Sequence, residues 1–479
     1  MPKEMIMRIN HKILMSVLAL SLSLSAIAFS PSLLAAKKEA PVQILITNVD
    51  VWDGTSKKLK LKTDVLVENN LIKNVGKGLK AEGATVIDGK GATLMPGLID
   101  MHQHLMLDKG VKGGEGEWGP YSQGIGAYIG MHELLAQGFT TVRDIAGGSQ
   151  GIAKGVAKGR FTGPRIYTSG AAISQTGGHG DWTPWNAKFG EEGFQEGLHN
   201  TYVVDGEAEI ARAVRTNFRR GANFIKVFAG GGVASDYDPL ELVGYTPKEL
   251  KLIVDIAKDY GGYVCVHAYT DVSYNRALDA GVKCFEHGFL VSEKTVKRMA
   301  KTKGVFWSAQ SYMSIIAFKA PEEIPWFSAT QIAKAKAVNK GAINAHKLMK
   351  KHKVPTVFGS DMFAEQWPVA IENLFPALKH GYTPYDILKG STSVPGKILT
   401  ERSVKNLYED GPLGVIEKGA YADILIVKGN PLKDLTILRN RDNLQMIMKD
   451  GKLFKNTLVS PTHKNYTPAP RTKLDSIGI

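Results

Sequence analysis

Two histidines at the end of an apolar run are the residues of this chain whose spacing most directly suggests chemistry. His102 and His104 close the segment MPGLIDMHQH, residues 95–104. In an extended strand, side chains two residues apart point to the same side, so the two imidazoles converge. Converging imidazoles are suited to binding a metal ion, although so short a motif also occurs as a pair of ordinary half-exposed polar residues.

Four later apolar segments each contain or end in a further metal ligand candidate. They are FIKVF with Lys226, YVCVH with His267, CFEH with His287 and VFGSD with Asp361. Each segment is short and rich in β-branched or aromatic residues, as buried strands are. Packing alone does not explain Lys226, because a buried ammonium group is costly. Together these residues predict that several strands deliver ligands to one site.

Helical patterns lie between these strands, for example in residues 246–260 and 291–301. Strands that alternate with helices predict a parallel sheet. Ligands at the C-terminal ends of several strands are typical of a (β/α)8 barrel, whose active site lies at that end. We therefore predict an α/β protein with a TIM-like (β/α)8 barrel over residues 97–404.

The predicted barrel strands follow the ligands along the chain. The first strand ends at His104, and the second and third span 139–145 and 164–170. The fourth ends just past Lys226, the fifth at His267 and the sixth at His287. The seventh spans 305–310, and the eighth ends at Asp361. Three connections at the ligand end of this barrel are long: residues 105–123, 174–205 and 311–330. Long loops at that end are where substrate recognition is expected.

The order of these segments resembles the amidohydrolase superfamily with a two-metal site. PGLIDMHQH, the lysine strand, the two later histidine strands and GSD carry this resemblance, which covers nearly all of the chain after about residue 40. FIKVFAGGGVAS, VHAYT, EHG and TGGHGD are similar to a narrower branch of imidazolonepropionase-related proteins, which includes Xaa-Pro and other dipeptidases. The segment MFAEQW after Asp361 departs from the His-Gly segment common in that branch, so a preference for proline or cationic side chains is not implied.

The resemblance implies two divalent metal ions and names their ligands as His102, His104, Lys226, His267, His287 and Asp361. It implies that Lys226 adds CO2 and becomes a carbamate bridging the metals, since burial and nearby cations lower the pKa of a lysine amine. Zinc suits imidazole and oxygen ligands, with manganese, cobalt and iron as open alternatives.

The same resemblance implies a mechanism. A hydroxide that bridges the metals attacks the scissile carbonyl, and Asp361 acts as general base and then as general acid. A helix N-cap is the structural alternative for Asp361. His179, within TGGHGD, is predicted to be a second catalytic residue that contacts the substrate carbonyl or carboxylate, with a solvated loop histidine as the alternative.

Four further residues are candidate substrate contacts. Tyr237 is a candidate to bind a substrate carboxylate, with an ordinary loop tyrosine as the alternative. Arg143, at the end of the second barrel strand, is a candidate substrate contact, with pairing to Asp144 as the alternative. Trp182 and Trp185 are candidates to line a pocket for an apolar side chain, with simple loop packing as the alternative.

We therefore predict a metal-dependent hydrolase of carbon–nitrogen bonds that acts on dipeptides or N-acyl amino acids. A cyclic-amide hydrolase of the imidazolonepropionase type is the alternative among enzymes, and a catalytically silent ligand-binding protein is the alternative outside them. The net charge of +14 is compatible with nucleic acid. The lysines are scattered, however, and no nucleic-acid-binding motif is present, so a small molecule or dipeptide is the expected partner. A homo-oligomer is compatible with the sequence.

The first 36 residues are predicted to be a secretory signal peptide. Lys3, Arg8 and Lys12 precede an apolar run over 13–28, and small residues at 26–28 and 34–36 offer cleavage sites. The mature protein would then lie in the periplasm or outside the cell, with no membrane anchor after cleavage. A single membrane anchor is the alternative, but the run is short and interrupted by serines.

The two chain ends carry alternating patterns broken by turns. These predict antiparallel strands near 44–49, 64–70, 84–89, 414–416, 422–427 and 444–448. The resemblance implies that 37–96 and 405–457 form a small accessory β-sandwich, and 458–479 is predicted to be an irregular tail. The cysteines Cys265 and Cys284 are interpreted as small buried hydrophobic residues in preference to a disulfide.

Overall fold

The computed structural model describes residues 41–107 and 119–467. The predicted signal peptide and residues 468–479 of the predicted tail lie outside these ranges. The strands are β1 (Gln43–Val51), β2 (Lys60–Glu68), β3 (Leu71–Gly76), β4 (Thr85–Asp88), β5 (Thr93–Pro96), β6 (Leu98–Gln103), β7 (Phe139–Asp144), β8 (Arg165–Thr168), β9 (Ala172–Ser174), β10 (Thr201–Val203), β11 (Ile225–Phe228), β12 (Val264–Thr270), β13 (Cys284–Leu290), β14 (Phe306–Ala309), β15 (Thr356–Phe358), β16 (Ile424–Val427), β17 (Leu444–Lys449) and β18 (Lys452–Asn456).

Helices separate the middle strands, so the fold is mixed α/β. The α-helices are α1 (Pro120–Ala136), α2 (Gln150–Ala157), α3 (Phe194–Gly197), α4 (Gly206–Arg220), α5 (Pro247–Asp259), α6 (Asp271–Ala280), α7 (Glu293–Lys301), α8 (Ala329–Lys351), α9 (Pro384–Gly390) and α10 (Ser393–Arg402). Short 3₁₀ or π turns occupy Tyr312–Ile316, Ala317–Lys319, Pro321–Glu323, Ala364–Leu374, Pro376–His380, Leu435–Arg439 and Arg441–Asn443. None of the described helices combines the length and the apolar character that a membrane span requires.

Strands from both chain ends share one eight-stranded sheet. Its order is β18-β17-β16-β5-β1-β2-β3, with β4 also paired to β1. The sheet is mixed, because β4 and β5 run parallel to β1, which corrects the expectation of antiparallel strands only. Strand β3 runs in the same direction as β1, so the connection over residues 77–84 carries the chain back before β4 pairs parallel to β1. Residues 414–416 form no strand, and the sandwich arrangement stays a prediction.

The middle strands are parallel, as the alternation of strands and helices predicted. β6, β7 and β8 form a three-stranded sheet, and the order β10-β9-β11-β12-β13-β14-β15 forms a seven-stranded sheet. A parallel bridge between Gln103 and Met362 joins the end of β6 to the chain just after Asp361. All eight predicted strands are present, but β12 and β13 extend three residues beyond the histidines at which they were predicted to end.

Helix α5 shows why the helices form where the sequence places them. Thr246 caps its N-terminus and Glu249 returns a hydrogen bond to the capping residue, which satisfies free backbone donors of the first turn. Leu250, Ile253 and Ala257 are buried on one face. The strands that these helices cover are buried along their whole length in β6, β7, β11 and β14, as parallel strands with both faces covered are.

Part of the predicted tail returns to the first sheet. The backbone of Thr467 exchanges hydrogen bonds with Asn456 at the end of β18, with N···O distances of 2.7 and 3.0 Å. The segment from 458 to 467 is therefore a turn that folds back onto the sheet. Three prolines and weak apolar periodicity hid this contact from sequence analysis.

Candidate active site

One cavity collects side chains from the C-terminal ends of the parallel strands. Its lining includes His102, His104, His179, Lys226, His267, His287 and Asp361. The first two come from β6 and the turn after it, the next ligands from β11, β12 and β13, and Asp361 follows β15. The structure thus brings together all six residues that were predicted to bind metal, and His179 with them.

His102, His104 and Asp361 form the tightest group of donor atoms. The Nε2 atoms of the two histidines are 3.2 Å apart, and they lie 3.1 and 3.0 Å from Oδ1 of Asp361. Nδ1 of His102 lies 2.8 Å from Oε2 of Glu286, which can only accept, so Nδ1 carries the proton. Where Nε2 carries no proton, its lone pair faces the carboxylate. Lone pairs this close repel unless a proton or a cation lies between them, so the donor set fits a divalent metal.

The ionisation of this group follows from its charges. Burial opposes ionisation of both His102 and Asp361, yet each favours the charged form of the other. Asp361 and Glu286 raise the pKa of His102 above its usual value. His102 and His104 hold the pKa of Asp361 well below its usual range, while burial lowers the pKa of His104. Asp361 is therefore ionised at neutral pH and available as an anionic ligand.

The backbone around the ligands is tightly constrained. Asp361 N–H donates to the carbonyl of His102 at 2.8 Å. A Cβ on Gly359 would overlap the backbone of His102, so only glycine allows the two strand ends to approach. Asp361 and His287 adopt φ values of 60° and 63°, in the left-handed region that residues with a Cβ rarely occupy. Such strain is concentrated at functional sites in proteins.

Lys226 is buried at the bottom of the cavity. Burial lowers the pKa of its amine to about 8, with Arg143 acting in the same direction and the carboxylates of Glu286 and Asp361 opposing. Its Nζ lies 5.4 Å from the centroid of the Phe228 ring. About a tenth of the amine is therefore neutral at pH 7, far more than for an ordinary lysine, and the neutral amine is the form that can react with CO2.

His267 and His287 lie beside Lys226 with ring centroids 4.4 Å apart. Burial lowers the pKa of each imidazole well below its usual value. His179 adds to the effect on His267, and for His287 burial prevails over the opposing pull of Asp361, with His102 and Lys226 acting in the same direction as burial. Nε2 of His267 lies 3.1 Å from the carbonyl oxygen of Gly231, so this nitrogen donates and Nδ1 keeps a free lone pair. Both rings are neutral at pH 7 and suited to binding a metal ion.

His179 stacks on His267, with ring centroids 4.1 Å apart and planes inclined by 19°. Its Nδ1 lies 2.6 Å from Oγ of Ser235 and 3.4 Å from Oδ2 of Asp238. An acidic partner on Nδ1 leaves Nε2 as the ring atom that can act elsewhere. His179 is buried in the cavity wall, which rules out the alternative of a solvated loop histidine.

A buried lysine holds the loop that supports His179. Nζ of Lys334, from α8, donates to the carbonyl oxygens of Gly232 at 3.0 Å and Ser235 at 2.8 Å, and also to that of Asp238. A Cβ on Gly232 would overlap the His179 ring, so this glycine makes room for it. The glycine-rich segment after β11 thereby fixes the orientation of His179.

Arg143 does not reach the cavity, which corrects its prediction as a substrate contact. The side chain is completely buried. Its Nε donates to the carbonyl oxygen of Met101 at 2.6 Å, and its Nη2 donates to Glu286. Pairing with Asp144, the alternative from sequence, is also not observed, since Asp144 accepts from the backbone of Leu105 at 2.7 Å and from Ser149.

Tyr237 is likewise not brought to the site. Its side chain is 52% exposed, and it is absent from the described cavity lining. Trp185 is 85% exposed and also lies outside that lining. Trp182 does line the cavity, where it packs edge-on against Phe228 with centroids 6.3 Å apart.

The two cysteines are paired, in contrast to the interpretation from sequence. Cys265 and Cys284 are direct partners in the parallel ladder between β12 and β13, and their sulfurs form a disulfide. The register between two strands separated by a helix decides this pairing. That register was not available from the sequence alone.

Three supporting residues were missed. Glu286 binds Nδ1 of His102, and Gln310 donates to Oε2 of Glu286 at 3.1 Å while it accepts from the backbone of His287 at 3.0 Å. Asp100 accepts from the backbone N–H groups of His102 at 2.9 Å and Ser360 at 3.0 Å, which ties two strand ends together. The signal for Glu286 was present, because an acid within an apolar strand is as anomalous as Lys226.

Comparisons with known proteins find relatives in both sequence and structure. The Amidohydrolase family matches residues 93–454. An ochratoxinase from Aspergillus niger is 30% identical over 454 residues, covering 90% of each chain. Among solved structures, a prolidase complexed with N-methylphosphonate-L-proline is 29% identical with a TM-score of 0.78, covering 87% of this chain and 100% of its own. A Xaa-Pro dipeptidase with methionine bound in the active site is 27% identical with a TM-score of 0.76, covering 86% and 99%.

Proposed function

This chain belongs to the amidohydrolase family and is a hydrolase of carbon–nitrogen bonds, and on that premise we propose that it cleaves the amide bond of dipeptides or N-acyl amino acids. We further propose that the reaction depends on two divalent metals, that the parallel strands of the two middle sheets close into a barrel around them, and that the protein is exported. The order of basic, apolar and small residues at the N-terminus supports export.

The observation that carries the proposal is the convergence of six metal-binding groups at one end of the parallel strands. His102, His104 and Asp361 present mutually repelling lone pairs. His267 and His287 are held neutral beside them. These residues would hold the metals, zinc best matching the imidazole and carboxylate ligands, and the bound metals would activate water and polarise the scissile carbonyl.

Lys226 completes the ligand set as a carbamate. Its neutral amine attacks the carbon of CO2 and releases one proton, so that an ammonium site becomes an anion with two oxygen donors. The lowered pKa of the buried amine supports this reaction. The change in charge also removes a cation that acts on the imidazoles of His104, His267 and His287.

Asp361 and His179 have separate roles in the proposed reaction. The Asp361 carboxylate takes the proton from the attacking water and passes it to the leaving nitrogen. His179 is oriented through Nδ1 by Ser235 and Asp238, and it contacts the substrate carbonyl or carboxylate through Nε2. Its buried position next to His267 supports that role.

The proposal is tested by assaying purified protein, with its metal content measured, on a library of dipeptides, N-acyl amino acids and cyclic amides. We expect hydrolysis of the first two classes, lost on chelation and restored by zinc. Turnover restricted to cyclic amides would establish the imidazolonepropionase-type alternative. A metal-loaded protein that binds these compounds without cleaving any of them would contradict the proposal.

A further inference from the structure

A continuous set of aromatic rings lines one side of the cavity. This aromatic wall consists of Phe318, Trp326, Phe327 and Phe363. Trp326 packs edge-on against Phe327 with centroids 4.6 Å apart. The ring of Phe318 lies 6.0 Å from that of Phe327, and the ring of Phe363 lies 6.1 Å from that of Trp326. The ring of Phe363 lies 6.1 Å from that of His104. The wall therefore reaches from the segment before α8 to a metal ligand.

The rings of the wall retain surface that a ligand can cover. Phe318 is buried at 7% exposure, whereas Trp326, Phe327 and Phe363 are only partly buried, although they line a concave site. Partly exposed aromatic rings in a cavity gain the most from covering by another apolar group, because water leaves both surfaces. Such a surface is suited to binding a ring rather than a small side chain.

The charge of the cavity favours an uncharged group against this wall. Leu107, Val233 and Met313 add apolar surface to the lining. Among the lining residues that the structure describes, Lys226 alone is a lysine or arginine, and the proposed function uses it as a metal ligand. The wall itself presents no cation to neutralise a carboxylate, so a charged group placed there would lose its hydration without compensation.

The segment that carries the wall is fixed in position. Ser328, the residue after Phe327, caps α8 and donates to Asp236 at 2.5 Å. Nδ2 of Asn339 donates to the carbonyl oxygens of Ser314 at 2.8 Å and Ile315 at 3.2 Å. A wall held by its own hydrogen bonds loses little conformational freedom when it binds a ligand.

We propose that the aromatic wall is a substrate subsite for an aromatic or bulky apolar group, so that the preferred substrates carry such a group on one side of the scissile amide. This inference rests on the proposed function, and it adds the chemical class of the substrate. The residues that select this group lie in the segment between β14 and α8 and at Phe363, and none of them is a proposed metal ligand.

The test compares Ala-Ala, Phe-Ala and Ala-Phe as substrates of metal-loaded wild-type protein and of Trp326→Ala. In the wild-type protein we expect kcat/KM for either Phe-Ala or Ala-Phe to exceed that for Ala-Ala by roughly 10- to 100-fold. Trp326→Ala should remove most of that preference. Trp326→Phe should restore it. Trp185→Ala is the matched control, because Trp185 is exposed and outside the described lining, and it should keep the wild-type preference.

A second measurement separates this inference from the proposed function. Binding of N-acetylphenylalanine amide and N-acetylalanine amide to the metal-loaded protein is measured by calorimetry. Aromatic preference that Trp326→Ala removes supports the subsite even if no dipeptide is cleaved, an outcome that would refute only the proposed function. Equal cleavage and equal binding of the phenylalanine and alanine compounds would overturn the subsite and leave the hydrolase intact.

Discussion

Replacement of Glu286 by glutamine should weaken both the fold and the metal site. In the wild-type protein both carboxylate oxygens of Glu286 accept hydrogen bonds. Oε2 accepts from Nδ1 of His102 at 2.8 Å and from Gln310 at 3.1 Å, and Oε1 accepts from Arg143. A glutamine has one acceptor oxygen and one NH2 group. Whichever way the amide is turned, its NH2 faces a donor.

The expected loss of stability follows from burial. Glu286 and Arg143 are both fully buried, and the charge of Arg143 has no other carboxylate partner among its contacts in the described structure. Loss of one member of a buried pair costs about 3–5 kcal/mol, because the other charge stays desolvated. Loss of the carboxylate behind a metal-binding histidine typically weakens metal affinity by roughly 10- to 100-fold.

Glu372→Gln provides the matched control. Glu372 pairs with Arg439 at 2.8 and 3.1 Å, but the arginine side chain is half exposed. An exposed pair contributes about 0–1 kcal/mol. Urea unfolding of metal-free protein gives the stability of each variant, and competition with a chelator gives zinc affinity. If Glu286→Gln unfolds at the wild-type midpoint and binds zinc as tightly, the supporting role of Glu286 is wrong.

Three further predictions concern single residues. Lys226→Ala should lose most of its metal and nearly all activity, and short carboxylic acids should partly restore both; full metal occupancy and normal turnover in the variant would exclude a bridging lysine. Asp361→Asn, compared at equal metal occupancy, should lower kcat by roughly 10²- to 10⁴-fold. His179→Ala should retain metal and lose substrate affinity or transition-state stabilisation; kcat and KM of both variants across pH make the comparison. His346 is buried, and burial lowers its pKa to about 4 from 6.5. Its depressed pKa means that its contribution to stability is complete above pH 6.5 and is lost as pH falls toward 4, about 3 kcal/mol in all. Urea midpoints between pH 7 and 4 should therefore fall less steeply in His346→Gln than in wild type, and equal slopes would refute the assignment.

The convergence of the candidate ligands could be predicted from sequence because polar residues on buried strands disturb local patterns, and the family resemblance then named the full set. A lysine or histidine on an otherwise apolar strand conflicts with burial, and that conflict marks Lys226, His267 and His287 without any knowledge of contacts. Spacing within one strand made the same prediction for His102 and His104. Parallel strands then bring their C-terminal ends to one edge, so the fold class implied that these distant residues meet.

Contacts between strands and loops were not predictable in the same way. Arg143 lies at a strand end like the ligands, yet its side chain turns away from the cavity to Glu286, and only the register of packed strands decides which way it points. The pairing of Cys265 with Cys284 depends on the same kind of register. Three residues of the aromatic wall, Phe318, Trp326 and Phe327, come from an irregular segment that contains short 3₁₀ and π turns, whose path no periodic pattern describes.

The central claim, that the converging residues form a two-metal hydrolytic site, is tested most directly by metal titration of the apoprotein. Zinc is added in steps while bound metal and the rate of amide hydrolysis are followed on the same sample. We predict that binding saturates at two metal ions per chain and that activity rises with occupancy from a negligible starting value. Full activity in protein that holds no metal would contradict the account.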